Sequence, residues 1–334
     1  MALFEHFAVR VECMTYNHAN FIVDTLKGFV SQNTDFPFVC TIIDDASNDG
    51  EPRILNKYLN DCFNLNDESV VRKEQTDDYS MVFAQHNNNK NCFFAVYFLK
   101  YNHFSIKKAK RPYLGVLNKI KYIAICEGDD YWIDPYKLQK QYETLESHPE
   151  IDMCACCAKV VYNSKVVDKM SPTEIEGVLP IEDVIRGGGG YLSTNTLVFR
   201  STILTDKNRA SSYRFLSLDY FLQIDGALRG GIYYLPEEMA VYRRLVKNSW
   251  TSNMGHDYKN AFYHKRRVLT TLVLFNHDTN NRYKNVIDDV IDAGLFSMNE
   301  KGFLGGCFDK YIKKMPMRSR IKYALSILKR LLFV

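Results

Sequence analysis

Short apolar runs of strand length alternate with amphipathic helical segments over roughly the first three quarters of this 334-residue chain. Such alternation is typical of a layered α/β domain in which helices flank a mostly parallel sheet. We therefore predict a mixed, mostly parallel α/β sheet. The predicted strands cover residues 9–14, 38–43, 122–126, 153–162, 196–200 and 231–235, and the predicted helices cover residues 20–32, 134–149 and a segment beginning near 219.

Two other regions have a different character. Residues 77–112 are rich in Asn, Lys and aromatic side chains, and we expect a helix near residues 91–101 followed by a basic loop at residues 107–111. After residue 253 the pattern becomes helical, with helices expected at residues 256–275 and 282–298 and in the C-terminal tail. The sequence thus predicts a main domain over residues 1–252 and a helical extension over residues 253–334.

Composition excludes several protein classes. With 46% hydrophobic and 25% charged residues the chain is globular, and its apolar runs fall short of the roughly 18 residues that a membrane-spanning helix needs. The nine cysteines lie mostly in apolar segments, which favours reduced core thiols over disulfides. The residues before Ala8 leave no room for a secretion signal, so we expect a cytoplasmic protein.

The C-terminal tail is strongly basic. Residues 310–334 contain eight Lys or Arg and no acid, which leaves the rest of the chain at a net charge of −4. Apolar residues recur at helical spacing among these cations. That pattern suits a helix on an anionic membrane surface, and equally a helix that packs on its own domain with a solvated basic face.

Polar clusters follow three of the predicted strands: Thr15-Tyr16-Asn17, Asp44-Asp45 and residues 127–130. The carboxyl ends of parallel strands form the usual ligand crevice of such sheets. Two carboxylates about 4 Å apart repel by roughly 4 kcal/mol at an effective dielectric of about 20, so the acids at 127, 129, 130 and 134 need a counter-charge or wide solvent exposure. A divalent cation holding a substrate phosphate meets this need, and a solvated turn before a helix capped by Asp134 is the alternative.

Four segments in sequence order carry a resemblance. Residues 11–17 (VECMTYN), 42–50 (IIDDASNDG), 126–132 (CEGDDYW) and 218–219 (LD) resemble the landmarks of family 2 glycosyltransferases with a GT-A fold. The resemblance covers residues 8–250, and its Glu-Gly-Asp-Asp-Tyr-Trp segment looks like that of bacterial enzymes that build capsule, O-antigen or other surface polysaccharides.

The resemblance implies roles for individual residues. Asp219 matches the catalytic base. Glu127 and Asp129 occupy the family's D-x-D positions with Asp130 following, and these three would bind a divalent metal ion, Mn²⁺ or Mg²⁺. The donor nucleotide would be bound by Thr15, Tyr16, Asp45, Asp129 and Arg243.

The chain departs from the family pattern at two places. Many relatives have a His two residues after a Tyr-Arg pair, but here Tyr242-Arg243-Arg244 is followed by Leu245, so Arg243 or Arg244 would face the diphosphate instead. The segment at residues 87–111 is longer than the usual link to the metal motif, which suits an acceptor-side flap or a surface excursion.

The resemblance implies a metal-dependent inverting glycosyltransferase. Its partners would be a nucleotide-sugar donor, with UDP favoured, and a hydroxyl of a glycan or lipid-linked glycan acceptor. The tail helix would bring the protein to the inner face of the cell membrane, and no nucleic acid partner is expected. Two alternatives stay open: a catalytically silent relative that binds a nucleotide or acts as a scaffold, and a nucleotidyltransferase, which the absence of a Gly-rich N-terminal loop disfavours.

Overall fold

A computed structural model describes residues 7–67, 71–108, 120–205, 219–244 and 258–300. The first four ranges belong to one compact unit, and residues 258–300 belong to a second.

Within the described residues of the first unit, twelve strands form one mixed sheet. Its order is β10-β12-β8-β11-β6-β1-β2-β5-β4-β3, with β7 paired to β12 and β9 paired to β8. The strands are β1 (Val9–Thr15), β2 (Phe38–Asp44), β3 (Arg72–Gln75), β4 (Tyr79–Gln85), β5 (Cys92–Leu99), β6 (Tyr122–Ile125), β7 (Tyr131–Trp132), β8 (Met153–Tyr162), β9 (Lys165–Met170), β10 (Gly177–Leu179), β11 (Val198–Arg200) and β12 (Ile232–Arg243).

Parallel pairing dominates the centre of this sheet, where β6, β1, β2 and β5 run side by side in one direction. β8 and β12 run the same way, and the short antiparallel β11 separates them from β6. Antiparallel pairs occupy the edges. The predicted mixed α/β sheet is confirmed, and the carboxyl ends of its co-directional strands lie at one edge.

Six helices accompany the sheet within the described part of this unit: α1 (Ile22–Val30), α2 (Glu51–Cys62), α3 (Lys137–Ser147), α4 (Ile181–Gly187), α5 (Thr202–Thr205) and α6 (Asp219–Ala227). The apolar faces of α1, α2 and α3 pack with Val9, Val11 and Cys13 of β1 into one buried cluster. Because side chains alternate along a strand, Cys154 of β8 joins that cluster while Met153 contacts Gly226 of α6. The sheet is therefore covered on both faces.

The prediction of a helix near residues 91–101 is wrong, because this segment forms β5. Cys92–Leu99 is a continuous apolar run that pairs with β2 on one side and β4 on the other, and most of it is buried. A strand buried on both faces loses the alternation that marks a half-exposed strand, so its sequence is easily mistaken for a buried helix. The basic loop expected at 107–111 lies mostly outside the described residues.

The second unit contains α7 (Tyr258–Asp278) and α8 (Lys284–Glu300), close to the two helices that the sequence predicts there. Gly294 of α8 lets Leu269 of α7 approach closely, since a β-carbon at this position would lie 2.9 Å from a Leu269 methyl group. No helix in the described ranges is long and apolar enough to span a bilayer. The basic tail at residues 310–334 lies outside the described residues.

The cysteines behave as reduced core residues throughout the described part of the chain. Eight are free thiols, and all but Cys62 are buried. Burial raises the pKa of the Cys13 thiol and that of the Cys126 thiol well above the usual range for cysteine, so both thiols stay protonated at neutral pH.

Candidate functional site

The ends of β1 and β2 meet the turn that follows β6 at one edge of the sheet. Thr15 pairs with Asp44 in register, and the chain beyond β6 continues along β1 through a hydrogen bond from Gly128 N to Met14 O at 3.1 Å. Gly128 lies so close to Thr15 that a β-carbon there would be 2.1 Å from Thr15 Oγ1. Glycine is therefore required where the acidic turn, residues 127–130, crosses the end of β1.

A buried carboxylate organises the segment after β1. Glu51, the first residue of α2, accepts hydrogen bonds from the Thr15 hydroxyl, from His18 N at 2.8 Å and from Ser47 Oγ at 2.9 Å. A carboxylate at a helix N-terminus also interacts favourably with the helix dipole. His18 extends this network to the acidic turn, with Nδ1 3.2 Å from Thr15 Oγ1 and Nε2 3.8 Å from Asp129 Oδ2.

The backbone of the acidic turn is held from beneath by α1. The Thr25 hydroxyl lies 2.5 Å from the carbonyl oxygen of Asp130 and 3.0 Å from that of Gly128. Asp130 N also donates to Glu127 O at 3.1 Å. These contacts fix the backbone from which the three acidic side chains project.

The three acids of the turn are in different surroundings. Asp130 is buried, and its Oδ1 accepts a hydrogen bond from Arg243 N at 2.8 Å. Burial, followed by the nearby charge of Asp129, raises the pKa of Asp130 well above its usual range. Asp129 is nearly buried and faces His18. Glu127 keeps part of its surface open to solvent.

Glu127 and Asp219 are close enough to interact electrostatically. Protein atoms crowd the Glu127 carboxyl, and this loss of hydration, together with the charges of Asp219 and Asp129, raises its pKa to about 8. Loss of hydration also raises the pKa of Asp219, which begins α6, while a hydrogen bond with Thr194 opposes the shift. Glu127 therefore interacts with the charges of both Asp219 and Asp129, and Glu127 and Asp219 stay exposed to solvent.

Arg243, at the end of β12, supports the acidic turn. Its guanidinium lies 4.3 Å from the ring centre of Tyr131, and it donates to Asp129 O at 2.6 Å and to Asp24 Oδ2 at 2.5 Å. Its side chain is mostly enclosed. In this arrangement Arg243 contacts the backbone of the acidic turn, and its contact with the donor diphosphate stays a prediction. Leu245, where the family pattern has His, lies outside the described residues, as does Leu218.

Asp45 fixes a loop at residues 101–108. Asp45 Oδ1 accepts a hydrogen bond from His103 N at 2.7 Å, and Oδ2 accepts one from Phe104 N at 3.1 Å. Asp45 N in turn donates to Thr15 O at 3.0 Å, which ties the loop to the end of β1. Its neighbour Asp44 is buried, and burial raises the pKa of Asp44 to about 7.

The structure thus brings most of the predicted site residues to one edge. Thr15, Asp45 and residues 127–130 meet there, and Asp219 is close enough to interact electrostatically with Glu127. Tyr16 follows Thr15 in the chain, with 42% of its surface exposed. The Thr15 hydroxyl is committed to Glu51. The nucleotide, metal and base roles of these residues remain predictions.

The sequence analysis missed His18, Glu51 and Thr194. Glu51 had a usable signal, since an acid directly after the Asn48-Asp49-Gly50 turn and before Pro52 is typical of a helix start. Thr194 had none, because it lies in a short 3₁₀ turn at Thr194–Thr196 that only the tertiary structure brings to Asp219.

The carboxylates suit a hard divalent cation that shares its coordination with a ligand. The described residues contain no group of three His, Cys, Asp or Glu side chains that already forms a metal site. Mg²⁺ commonly takes only one or two protein carboxylates and completes its shell with water and phosphate. Asp129 and Glu127 fit this pattern, since a cation would favour the charged form of Glu127, whose pKa is raised by loss of hydration and by the nearby charges of Asp219 and Asp129. Asp130 fits it less well, because one of its oxygens is engaged by Arg243.

No protein-family model matches the chain. Relatives similar in sequence include proteins that carry the name uncharacterized protein, Rv1520 of Mycobacterium tuberculosis and Mb1547 of Mycobacterium bovis. Each is 31% identical over 240 residues, a match that covers 72% of this chain and 59% of the relative. The chain therefore spans about three fifths of the length of these relatives.

Solved structures with the same fold include TarS of S. aureus. TarS 1-349 in complex with UDP-GlcNAc superimposes with a TM-score of 0.54 at 16% identity, over 94% of this chain and 78% of that one. Another TarS structure gives a TM-score of 0.57 at 16% identity, over 93% of this chain and 50% of that one. Likeness at this level of identity establishes the fold, so the predicted GT-A-like α/β fold is confirmed.

Proposed function

We propose that the chain is an inverting glycosyltransferase of the family 2 type, which transfers a sugar from a nucleotide-diphosphate donor, with UDP favoured, to an acceptor hydroxyl. The observation that carries the proposal is the meeting of Glu127, Asp129 and Asp219 at the carboxyl edge of the parallel strands. Loss of hydration, followed by the charges of Asp219 and Asp129, raises the pKa of Glu127, which supports an interaction among these acids. The shared fold with TarS, which has been solved with UDP-GlcNAc and with UDP, supports a nucleotide-sugar donor.

The donor site in this proposal lies over the ends of β1 and β2. The exposed ring of Tyr16 is available to stack on the base, and Thr15 and Asp45 form the adjoining wall. The diphosphate reaches the acidic turn, where Asp129 and Glu127, with Asp130 behind them, would hold Mn²⁺ or Mg²⁺. When bound, such an ion supplies positive charge that stabilises the leaving diphosphate.

Asp219 is the proposed base. The acceptor oxygen attacks the anomeric carbon, the bond from that carbon to the diphosphate oxygen breaks, and its electron pair leaves with the nucleoside diphosphate. The acceptor proton passes to the Asp219 carboxylate. Loss of hydration raises the pKa of Asp219 and makes it a stronger base than a fully solvated aspartate, and its interaction with Thr194 orients it. A single displacement inverts the anomeric configuration.

Nucleoside diphosphate release from a panel of UDP-sugars, with Mn²⁺ or Mg²⁺ and a glycan acceptor mixture, tests this function. Asp219→Asn should keep donor affinity and lose about 10² to 10⁴ in turnover, the usual contribution of a general base. Asp183→Asn, a change on α4 where the Asp183 side chain is 47% exposed, is the matched control and should behave as wild type. If Asp219→Asn turns over the donor as fast as the wild type, Asp219 is not the base.

A second candidate is a catalytically silent protein that binds a nucleotide or serves as a scaffold. The engagement of both Asp45 oxygens by loop amides and of the Thr15 hydroxyl by Glu51 favours this candidate, since these groups are already satisfied without a ligand. This second candidate would be supported if the wild type and Asp219→Asn bind a nucleotide equally well and neither releases nucleoside diphosphate from any donor sugar.

We further propose a glycan or lipid-linked glycan acceptor in surface polysaccharide synthesis, such as capsule or O-antigen. A main domain at residues 1–252 would carry the site, and the extension at residues 253–334 would bring it to the inner face of the membrane through the basic tail. Deletion of residues 310–334 should weaken binding to anionic vesicles. Unchanged vesicle binding after deletion would remove the tail from the proposal.

A further inference from the structure

The loop at residues 101–108 presents two large apolar side chains to solvent. Phe104 is 78% exposed and Ile106 is 57% exposed. Scattered single apolar residues are normal on a protein surface, but two such side chains two residues apart on one short loop form a tip that water solvates poorly.

The loop is held rigidly in this shape. The backbone amides of His103 and Phe104, in the first half of the loop, donate to the Asp45 carboxylate. At the other end, Lys108 Nζ donates to Asp78 Oδ2 at 2.7 Å and lies 2.9 Å from the Tyr101 hydroxyl, which itself donates to Asp78. The Tyr101 ring stacks on the imidazole of His103 with an interplanar angle of 3°.

Internal hydrogen bonds complete the loop. Lys108 N donates to His103 O at 2.8 Å, and Ser105 N donates to Asn102 Oδ1 at 2.7 Å. The fold thus fixes the backbone beneath Phe104 and Ile106 while both side chains stay exposed. A fixed loop loses little conformational entropy when its tip binds a partner.

The surroundings of the tip in the sequence are strongly basic. Residues 79–126 contain eight Lys or Arg and no Asp or Glu. Lys107 is exposed beside the tip, as is Lys100 at the start of the loop, whereas Lys108 is neutralised by Asp78. An apolar tip flanked by cations matches the interface of an anionic bilayer, where apolar groups enter the acyl boundary and cations meet lipid phosphates.

A second exposed apolar site, at Ile175, lacks the neighbouring cations that surround Phe104 and Ile106. Ile175 is 76% exposed, but its neighbours in the chain are Glu174 and Glu176. Glu174 pairs with Lys169 at 2.6 Å, and Glu176 leaves the segment without net positive charge. Ile175 therefore provides a matched control for apolar exposure without positive charge.

We propose that the loop at residues 101–108 docks on an anionic lipid bilayer, with Phe104 and Ile106 inserted at the interface and Lys100 and Lys107 at the level of the phosphates. This surface is separate from the basic tail. The inference does not rest on the proposed function. If both hold, docking brings Asp45 and the donor site to a membrane that carries a lipid-linked acceptor.

A tryptophan reporter in the full chain tests the insertion. The wild type contains Trp132 and Trp250, so the emission of Phe104→Trp is compared with that of wild type. Vesicles of phosphatidylglycerol and phosphatidylcholine should shift the additional emission to shorter wavelength, and brominated lipids should quench it. Vesicles of phosphatidylcholine alone should have a much smaller effect. Ile175→Trp should show no change with either.

Vesicle co-sedimentation gives the second measurement. Phe104→Ser/Ile106→Ser should bind anionic vesicles about tenfold more weakly than wild type, since two partly inserted apolar side chains are lost. Ile175→Ser should bind as wild type, and unchanged thermal unfolding verifies that each variant is folded. An unshifted Phe104→Trp emission on anionic vesicles, or equal shifts for Phe104→Trp and Ile175→Trp, would overturn the proposal whatever the tail contributes. Donor turnover is not used, so failure here leaves the proposed function intact.

Discussion

The backbone amide of Arg243 donates to Oδ1 of Asp130 at 2.8 Å, which joins the end of β12 to the acidic turn. The same arginine donates through its guanidinium to Asp129 O at 2.6 Å. Residues more than a hundred positions apart in the sequence therefore hold the Asp130 carboxylate and the Asp129 backbone in place. The geometry of the candidate metal site depends on the last strand of the sheet as much as on the turn itself.

Asp130 should prove to be mainly a structural acceptor. Asp130→Ala leaves the Arg243 amide without its partner in a buried position, and we expect a loss of about 1 to 3 kcal/mol in the free energy of unfolding. Asp130→Asn keeps an acceptor oxygen and should lose less than half as much. Chemical denaturation of both variants measures this difference, and equal losses would show that the hydrogen bond is unimportant.

Arg243→Ala should weaken metal-supported nucleotide binding about tenfold, because the Asp129 backbone loses its support. It should also destabilise the fold, since the guanidinium stacks on Tyr131 and pairs with Asp24. Arg244→Ala is the matched control, as the Arg244 side chain is more exposed and its guanidinium lies 3.6 Å from Asp168. Normal nucleotide affinity in Arg243→Ala would mean that the turn holds its shape without the arginine.

Gly128 should tolerate no side chain. In Gly128→Ala the new methyl group would overlap Thr15 Oγ1, and we expect about 1 to 3 kcal/mol of destabilisation. Gly190→Ala is the control, because a β-carbon at that position has no atom within 4 Å. Thermal unfolding distinguishes the two variants, and equal Tm values would contradict the close packing of turn and strand.

Glu127 should make stability depend on pH. Its pKa is raised to about 8 in the fold from an ordinary value of 4.5, so the folded chain holds this proton more tightly than the unfolded chain. The raised pKa therefore lowers the free energy of unfolding. This loss is absent below about pH 4.5, grows as the pH rises toward 8 and is constant above that. Glu127→Gln should therefore raise Tm at pH 8.5, by about 1 to 3 °C because solvent screens part of the repulsion, and leave Tm unchanged at pH 4.5. An increase in the Tm of Glu127→Gln at pH 4.5 without one at pH 8.5 would contradict the raised pKa of Glu127.

The sequence allowed the parallel centre of the sheet to be predicted because β1, β2 and β6 each end in a recognisable polar cluster. β5 was missed for the opposite reason, since its buried run has no alternation and follows an unusual hairpin of β3 and β4. β12 was predicted too short, because Pro236 and the acids Glu237 and Glu238 interrupt its apolar pattern at an irregularity in its pairing with β8.

The acids of the candidate site were predictable as residue types in the right order. Their different environments were not. Whether Asp130 or Asp129 keeps a free carboxylate depends on the position of Arg243, and the network of Glu51 and His18 depends on the packing of α2 against the end of β1. Such long-range contacts leave no periodic signal in the sequence.

Calorimetric titration of the protein with UDP, with and without Mn²⁺, and of Asp129→Asn under the same conditions, tests the central claim most directly. We expect binding that requires Mn²⁺ in the wild type and at least a tenfold loss of affinity in Asp129→Asn, with unchanged thermal unfolding. GDP, CDP and dTDP in parallel identify the carrier if it is not UDP. Absence of metal-dependent binding for all four diphosphates would contradict the claim that this edge of the sheet is a donor site.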